Sequence, residues 1–139
     1  NTNDVVISSI EGSLQSCGLI SEEYNNALCS TGFYVINSKK INSETLIVLF
    51  KSPLMQSIMK QNCSGTILTG MNKDEFQNIL VPLIDKKAQI KIAKLIQESF
   101  ALKKQSEDLL EVAKKAVEIA IEENEEIAIQ FIEEQLNVN

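Results

Sequence analysis

Apolar residues recur every three or four positions through the last third of the chain, from Asp85 to about Leu136. This segment contains no glycine or proline, and nearly all of its residues favour a helix. About 50 residues of continuous helix would span roughly 75 Å. A small domain cannot cover so long a stripe, so the pattern predicts a partner helix. The predicted pairing positions are Ile92, Leu95, Leu102, Leu109, Ala113, Ala116 and Ala120.

Charge is distributed unevenly along this predicted helix. Residues 86–115 contain eight lysines and four acids, whereas residues 116–139 contain seven acids and no base. An antiparallel partner of the same kind would lay its lysine-rich half beside this glutamate-rich half, whereas a parallel partner would put glutamate beside glutamate. The charges therefore favour an antiparallel helix pair, formed in a homodimer or with another helix of the same kind. The alternative is a solvated single helix or one folded back on its own domain.

The end of the predicted helix is less regular. Past residue 121 the apolar positions drift toward Val117, Ile121 and Phe131, which indicates a kink, a fold-back or a frayed end. Asn124 lies near the seam, where a buried asparagine would fix the register of a coiled coil. An exposed asparagine at a kink fits the sequence equally well.

The first part of the chain alternates between short apolar runs and turns, which predicts strands and short helices. Asn42 or Ser43 caps a helix that begins near Glu44, and Pro53 starts the next one. The apolar face of that second helix is predicted to consist of Leu54, Met55, Ile58 and Met59. Asn72 caps a brief helical turn and Asp85 caps the long helix. Strands are predicted at Asp4–Ile10, Leu14–Ile20, Ala27–Ile36 and Ile79–Leu83.

These patterns predict an α+β fold. Residues 1–84 form a small mixed β/α domain, and residues 85–139 form the long C-terminal helix of an antiparallel coiled coil. No apolar run approaches the roughly 20 residues of a membrane span.

Composition narrows the possible chemistry. The chain has three cysteines, a net charge of −6, and neither histidine nor arginine. Three scattered cysteines without histidine provide no Cys–His catalytic pair, so we expect no active site, metal or cofactor. Their odd number, without a signal peptide, favours reduced thiols and a cytoplasmic protein.

Several short motifs occur together in one order. Val5-Val6-Ile7-Ser8 is followed by Gly12, and Ser30-Thr31-Gly32-Phe33 lies in the third predicted strand. Further motifs follow at Leu46 to Leu54, at Ser64-Gly65-Thr66 with Met71-Asn72-Lys73, and at Val81-Pro82-Leu83 with Gln89. This order resembles the second half of a target recognition domain and its spacer helix in the DNA specificity subunit of type I restriction–modification enzymes. Ile84 and Ala88 depart from the usual proline and glutamate.

The resemblance implies a protein without catalytic chemistry that reads one half of a split double-stranded DNA target. Its spacer helices would pair antiparallel and set the distance between half-sites. It would dock N6-adenine methyltransferase subunits and, in the full enzyme, the translocating restriction subunits. The resemblance also implies that about a third of a recognition domain would precede residue 1.

Residues that contact DNA need donor groups on loops. The best stretch runs from Ser64 to Lys73, because its glycines let backbone amides approach phosphates. An ordinary loop connection is the alternative interpretation. The candidate DNA-binding residues are Ser64, Gly65, Thr66, Thr69, Asn72, Lys73, Lys39 and Lys40.

Two other functions remain open from the sequence. A coiled-coil assembly protein without a DNA role would self-associate and show no affinity for DNA at low salt. The chain would alternatively be the recognition part of a fused methyltransferase.

Overall fold

The computed structural model describes residues 1–65 and 69–137 of the chain. It divides into two compact units, Asn1–Ile96 and Gln97–Asn139. The described residues form a three-stranded antiparallel sheet and five α-helices, one of them 37 residues long. The predicted α+β class with a long C-terminal helix is therefore confirmed.

The sheet is built around its first strand. β1 (Val5–Ser8) lies between β2 (Cys17–Leu19) and β3 (Phe33–Ile36), and it pairs antiparallel with both. Val5 and Ile7 are fully buried, whereas Val6 between them is partly exposed. This alternation puts one face of β1 in the core.

The second and third strands are shorter than the sequence predicted. Residues 27–31 were included in a predicted strand, but they are exposed and form no ladder. The prediction of a strand at Ile79–Leu83 is wrong, because this segment pairs with no other strand. Burial alternates only over its first three residues, since Ile79 and Val81 pack on the core, whereas Leu80 and Leu83 are exposed. A period of two fits any extended chain, and only a pairing partner makes it a strand.

Two helices cover the buried face of the sheet. α1 (Ser43–Lys51) is capped by the Asn42 side chain, which accepts a hydrogen bond from the Thr45 N–H at 2.9 Å. α2 (Pro53–Gln61) begins with proline, as predicted. Met55 and Met59 are buried one turn apart, whereas Leu54 points about 100° away from Met55 and is 71% exposed. The prediction that Leu54 belongs to the buried face is therefore wrong. The core consists of Val5, Ile7, Leu14, Cys17, Ile41, Leu46, Ile47, Phe50, Met55, Met59 and Met71.

The remaining helices follow the last loops. α3 (Lys73–Gln77) begins after Asn72. α4 (Lys86–Glu122) begins after Asp85, whose carboxylate accepts hydrogen bonds from the N–H groups of Lys87 and Ala88 at 2.9 and 3.3 Å. The prediction that Asp85 caps the long helix is confirmed. At 1.5 Å per residue α4 is about 55 Å long.

The second unit is a helical hairpin. α4 ends at Glu122, and α5 (Glu125–Asn137) returns along it, so the prediction of one continuous helix to Leu136 is wrong. Ala116 of α4 and Ala128 of α5 are each only 5% exposed and line a common groove. Leu109 of α4 and Leu136 of α5 line a second one. Among the three possibilities for this end of the chain, the fold-back is confirmed.

The break between the two helices has a local cause. The Asn124 side chain accepts a hydrogen bond from the Ile127 N–H at 3.0 Å, which is the geometry of a helix N-cap. Glu125 and Glu126 therefore lie in the first turn of α5, where acids favour the helix dipole, rather than at the end of a longer helix, where they would oppose it. Asn124 is exposed and does not lie in a coiled-coil seam.

Candidate nucleic-acid interface

The loop before α3 contains most of the predicted DNA-binding residues. Its base is closed by two hydrogen bonds, from the Ser64 N–H to the Gly70 carbonyl at 2.8 Å and from the Gly70 N–H to the Ser64 carbonyl at 3.0 Å. Gly65 has a φ of 131°, a conformation that favours glycine. The two hydrogen bonds thus hold Ser64 and Gly70 side by side. Thr66 lies outside the described residues.

This loop is attached to the turn that follows β1. The Met71 N–H donates to the Ser9 carbonyl at 2.8 Å, and the Glu11 N–H donates to the Thr69 carbonyl at 3.0 Å. Gly70 lies so close to β1 that an added Cβ would be 3.0 Å from the Ser9 carbonyl oxygen. The backbone of Ser64, Thr69 and Gly70 is therefore held in place by the sheet.

An aromatic stack supports the same loop. The Tyr34 hydroxyl donates to the Met71 carbonyl at 2.8 Å, and the Tyr34 ring stacks on Phe76 with 4.4 Å between centroids. Burial raises the pKa of Tyr34, and the charges of Glu75 and Asp74 raise it further. The phenol therefore stays protonated at neutral pH and keeps its donor.

Asn72 and Lys73 stand at the start of α3. The Asn72 side-chain oxygen accepts from the Glu75 N–H at 2.9 Å, and the Glu75 carboxylate accepts from the Asn72 N–H at 3.0 Å. The prediction that Asn72 caps this helix is confirmed, and the cap occupies its side-chain oxygen. Lys73 is exposed and remains available for a phosphate.

The Lys39–Lys40 turn lies beyond the other end of β1. It follows Ile36, which pairs with Val5 at the start of β1, whereas the Ser64–Gly70 loop contacts the residues just after Ser8. The structure therefore does not bring the two predicted DNA-binding segments into one cluster. Both lysines of this turn are exposed.

A buried glutamine joins that turn to the start of α4. Gln89 is 2% exposed, and its side-chain oxygen accepts from the Asn42 N–H at 3.0 Å. Its side-chain nitrogen donates to the carbonyls of Lys40 at 3.1 Å and Ile84 at 2.8 Å. The Lys86 ammonium also donates to the Lys40 carbonyl, at 3.0 Å. The Lys86 side chain thus reaches the turn that contains Lys39 and Lys40.

Sequence reasoning did not identify Gln89 or Lys86 as parts of a site. A signal was present for Gln89, because it is the polar member of a helical face that otherwise contains Ile92, Ala93 and Ile96. The sequence offered no comparable signal for Lys86, whose neighbour is 46 residues away in the chain.

The predicted helix-pairing positions have different environments. Leu95 and Leu102 are each 65% exposed, and Ile92 is half-buried. The other four positions line the two grooves that α4 shares with α5: Leu109, Ala113, Ala116 and Ala120. The C-terminal part of the seam thus has a neighbour within its own chain.

The charges also divide between the two units. Asn1–Ile96 contains nine lysines and eight acids, whereas Gln97–Asn139 contains four lysines and eleven acids, so the net charge of −6 comes from the hairpin. Lys114 pairs with Glu111 at 2.6 Å and Lys115 with Glu118 at 3.1 Å, each within α4. The hydrogen bond from Lys115 to Glu118 raises the pKa of that lysine.

Neither a metal site nor a membrane span is found among these residues. Within residues 1–65 and 69–137, no three side chains of the Cys, Asp and Glu types are grouped so that they would hold a metal ion. In the same ranges, each helix is either too short or too polar to cross a bilayer.

A comparison with protein families decides the relationship of this chain. The family described as the type I restriction modification DNA specificity domain matches residues 1–130. The chain belongs to this family. The match includes Ser64, Gly70 and Gln89 and nearly the whole hairpin. The predicted resemblance to a specificity subunit is therefore confirmed. No curated protein matches the chain in a sequence comparison.

Proposed function

We propose that this protein is a DNA specificity subunit of a type I restriction–modification system that binds one half of a split DNA target. The family match over residues 1–130 carries this proposal. The backbone of Ser64, Thr69 and Gly70 supports it, because hydrogen bonds to one another and to the turn after β1 hold these residues in a fixed position, as contacts with a groove or a phosphate require. Residues 1–84 would belong to the recognition domain and residues 85–139 to the spacer.

The subunit would have no catalytic chemistry and no cofactor, and it would act in the cytoplasm. N6-adenine methyltransferase subunits would supply the chemistry, and translocating restriction subunits would join them in the full enzyme. Co-expression with the cognate methyltransferase subunit tests this assignment. We expect a stable complex that methylates adenine at specific sites in plasmid DNA. Failure to associate with the methyltransferase would contradict the proposal.

The exposed part of the α4 seam would pair antiparallel with a second spacer helix. The exposure of Leu95 and Leu102 supports this pairing, because both leucines would gain burial from a partner. Light scattering at tens of micromolar protein should give the mass of a homodimer when nothing else supplies the second helix. A monomer under these conditions would count against the pairing.

The hairpin favours one alternative function. A pair of helices with an apolar groove between them fits a pure assembly protein as well. Such a protein would self-associate and show no affinity for duplex DNA even at low salt, which distinguishes it from a specificity subunit.

A further inference from the structure

Two pairs of lysines from distant parts of the chain lie on segments that contact each other. We call Lys39, Lys40, Lys86 and Lys87 the lysine corner. The Lys86 ammonium lies 3.0 Å from the Lys40 carbonyl oxygen, and all four side chains are exposed. The two lysine pairs are 46 residues apart in sequence, so only folding brings them together.

The backbone of the lysine corner is held firmly. The Ser38 hydroxyl accepts from the N–H groups of Lys40 and Ile41 at 3.1 and 3.2 Å. Gln89 then ties this turn to α4 through the Lys40 carbonyl and the Asn42 N–H. The four charges therefore project from a fixed support, which reduces the entropy lost when they bind a ligand.

The lysine corner lacks acid partners within the described parts of the chain. No ion pair there includes any of its lysines. Asp85, which precedes Lys86, accepts the backbone N–H groups of Lys87 and Ala88. Lysines on two contacting segments, none of them in an ion pair, favour an anion.

The lysines of the hairpin are arranged differently. Lys103 and Lys104 pair with Glu107 and Asp108 at 3.6 and 3.5 Å. Lys114 and Lys115 likewise pair within α4. The hairpin thus contains two pairs of adjacent, exposed lysines, and either pair provides a control of equal charge.

We infer that the lysine corner binds the phosphate backbone of duplex DNA and positions the protein without reading bases. This inference rests on the proposed function. Lysine is a point charge that cannot form the bidentate contact of arginine with guanine, so it suits phosphates better than base edges. The loop at Ser64–Gly70 lies beyond the other end of β1 and would be free to approach the bases.

The experiment measures the binding of a labelled 40-base-pair duplex of random sequence to the full-length protein in complex with its methyltransferase subunits. Anisotropy titrations over a series of KCl concentrations give the slope of log K against log[KCl]. Lys39→Gln/Lys40→Gln and Lys86→Gln/Lys87→Gln should each reduce the magnitude of the slope by about 2. Each should weaken binding on the order of ten-fold near 0.1 M salt.

Two further variants test whether the effect on DNA binding is specific to the lysine corner. Lys103→Gln/Lys104→Gln removes the same charge from the hairpin and should leave both the slope and the affinity unchanged. Lys86→Arg/Lys87→Arg keeps the charge and the donor to the Lys40 carbonyl, and should bind as the wild type does. Circular dichroism of each variant checks that the fold is intact.

Three results would overturn the inference. Unchanged binding in both lysine-corner variants would show that these lysines do not touch DNA, while the proposed function would stand. An equal loss in the Lys103→Gln/Lys104→Gln control would show an effect of net charge alone. A wild-type complex without any duplex affinity would overturn the proposed function together with this inference.

Discussion

Asn42 and Gln89 are joined by two hydrogen bonds, each between a side chain of one residue and the backbone of the other. The Asn42 N–H donates to the Gln89 side-chain oxygen at 3.0 Å, and the Asn42 side-chain nitrogen donates to the Gln89 carbonyl at 3.2 Å. Asn42 also caps α1 through its side-chain oxygen. One contact therefore fixes the start of α1 and the first turns of α4 to the same loop.

Replacing Gln89 with leucine should destabilise the first unit. The change keeps a similar volume but leaves the Asn42 N–H and the carbonyls of Lys40 and Ile84 without this partner. We expect the free energy of unfolding to fall by about 1–3 kcal/mol. Urea denaturation, monitored by circular dichroism, measures this free energy of unfolding. Gln105→Leu, at an exposed site of α4, is the control, and an equal loss there would contradict this role for Gln89.

Replacing Gly70 with alanine should disturb the candidate DNA-binding loop. Its Cβ would be 3.0 Å from the Ser9 carbonyl oxygen, which belongs to the backbone and cannot easily move. We expect a loss of about 1–3 kcal/mol in stability and faster amide exchange at Met71. Hydrogen exchange with mass spectrometry checks both the loop and the global stability.

Gly12→Ala is the matched control for Gly70. No atom lies within 4 Å of a Cβ added at Gly12, so this variant should unfold as the wild type does. If Gly70→Ala and Gly12→Ala show the same stability and the same amide exchange, the close approach of Gly70 to Ser9 does not constrain the conformation of the loop.

Replacing Asn124 with alanine should loosen the hairpin. The change removes the hydrogen bond from the Ile127 N–H and also favours helix through the break, because alanine is a good helix former and a poor N-cap. We expect a loss of about 1 kcal/mol in the stability of α5, visible as faster amide exchange. Glu123→Ala changes the same turn without removing the cap and should have a smaller effect.

Replacing Ala116 with leucine should separate α4 from α5. Ala116 and Ala128 are both buried against a common groove, and a larger side chain would force the helices apart. We expect a loss of about 1–3 kcal/mol in the stability of the hairpin. Leucine at Ser106, an exposed α4 position that lines neither groove, is the control. Unaltered exchange in α5 of the Ala116→Leu protein would argue against close packing at this point.

The three cysteines should differ in reactivity. Burial raises the pKa of the Cys17 and Cys63 thiols, so less of each is thiolate at a given pH, whereas Cys29 is exposed. Because the thiolate is the reactive form, iodoacetamide at pH 8 should label Cys29 on the order of ten-fold faster than Cys17. Peptide mass spectrometry measures the rates. The ratio of the Cys29 labelling rate to the Cys17 labelling rate should fall as the pH rises toward the raised pKa values. It should also fall when the protein is unfolded.

The sequence determined most of the local structure. Asn42, Asn72 and Asp85 were identified as caps because a short polar side chain before an apolar helical run satisfies free backbone N–H groups wherever that run packs. The first strand and the α+β class followed from periodicity in the same way. These features depend on residues a few positions apart, so the local pattern of polar and apolar residues was sufficient to predict them.

The tertiary structure decided which distant residues meet. Periodicity could not show whether Ile79–Leu83 had a strand to pair with, nor that α5 would return to cover Ala116, because both depend on contacts far along the chain. The placement of Lys86 beside Lys40, and of Gln89 between two loops, likewise exists only once the core has formed. Sequence therefore specified the caps, the first strand and the charges, and the packing of the core decided which of these residues lie next to each other.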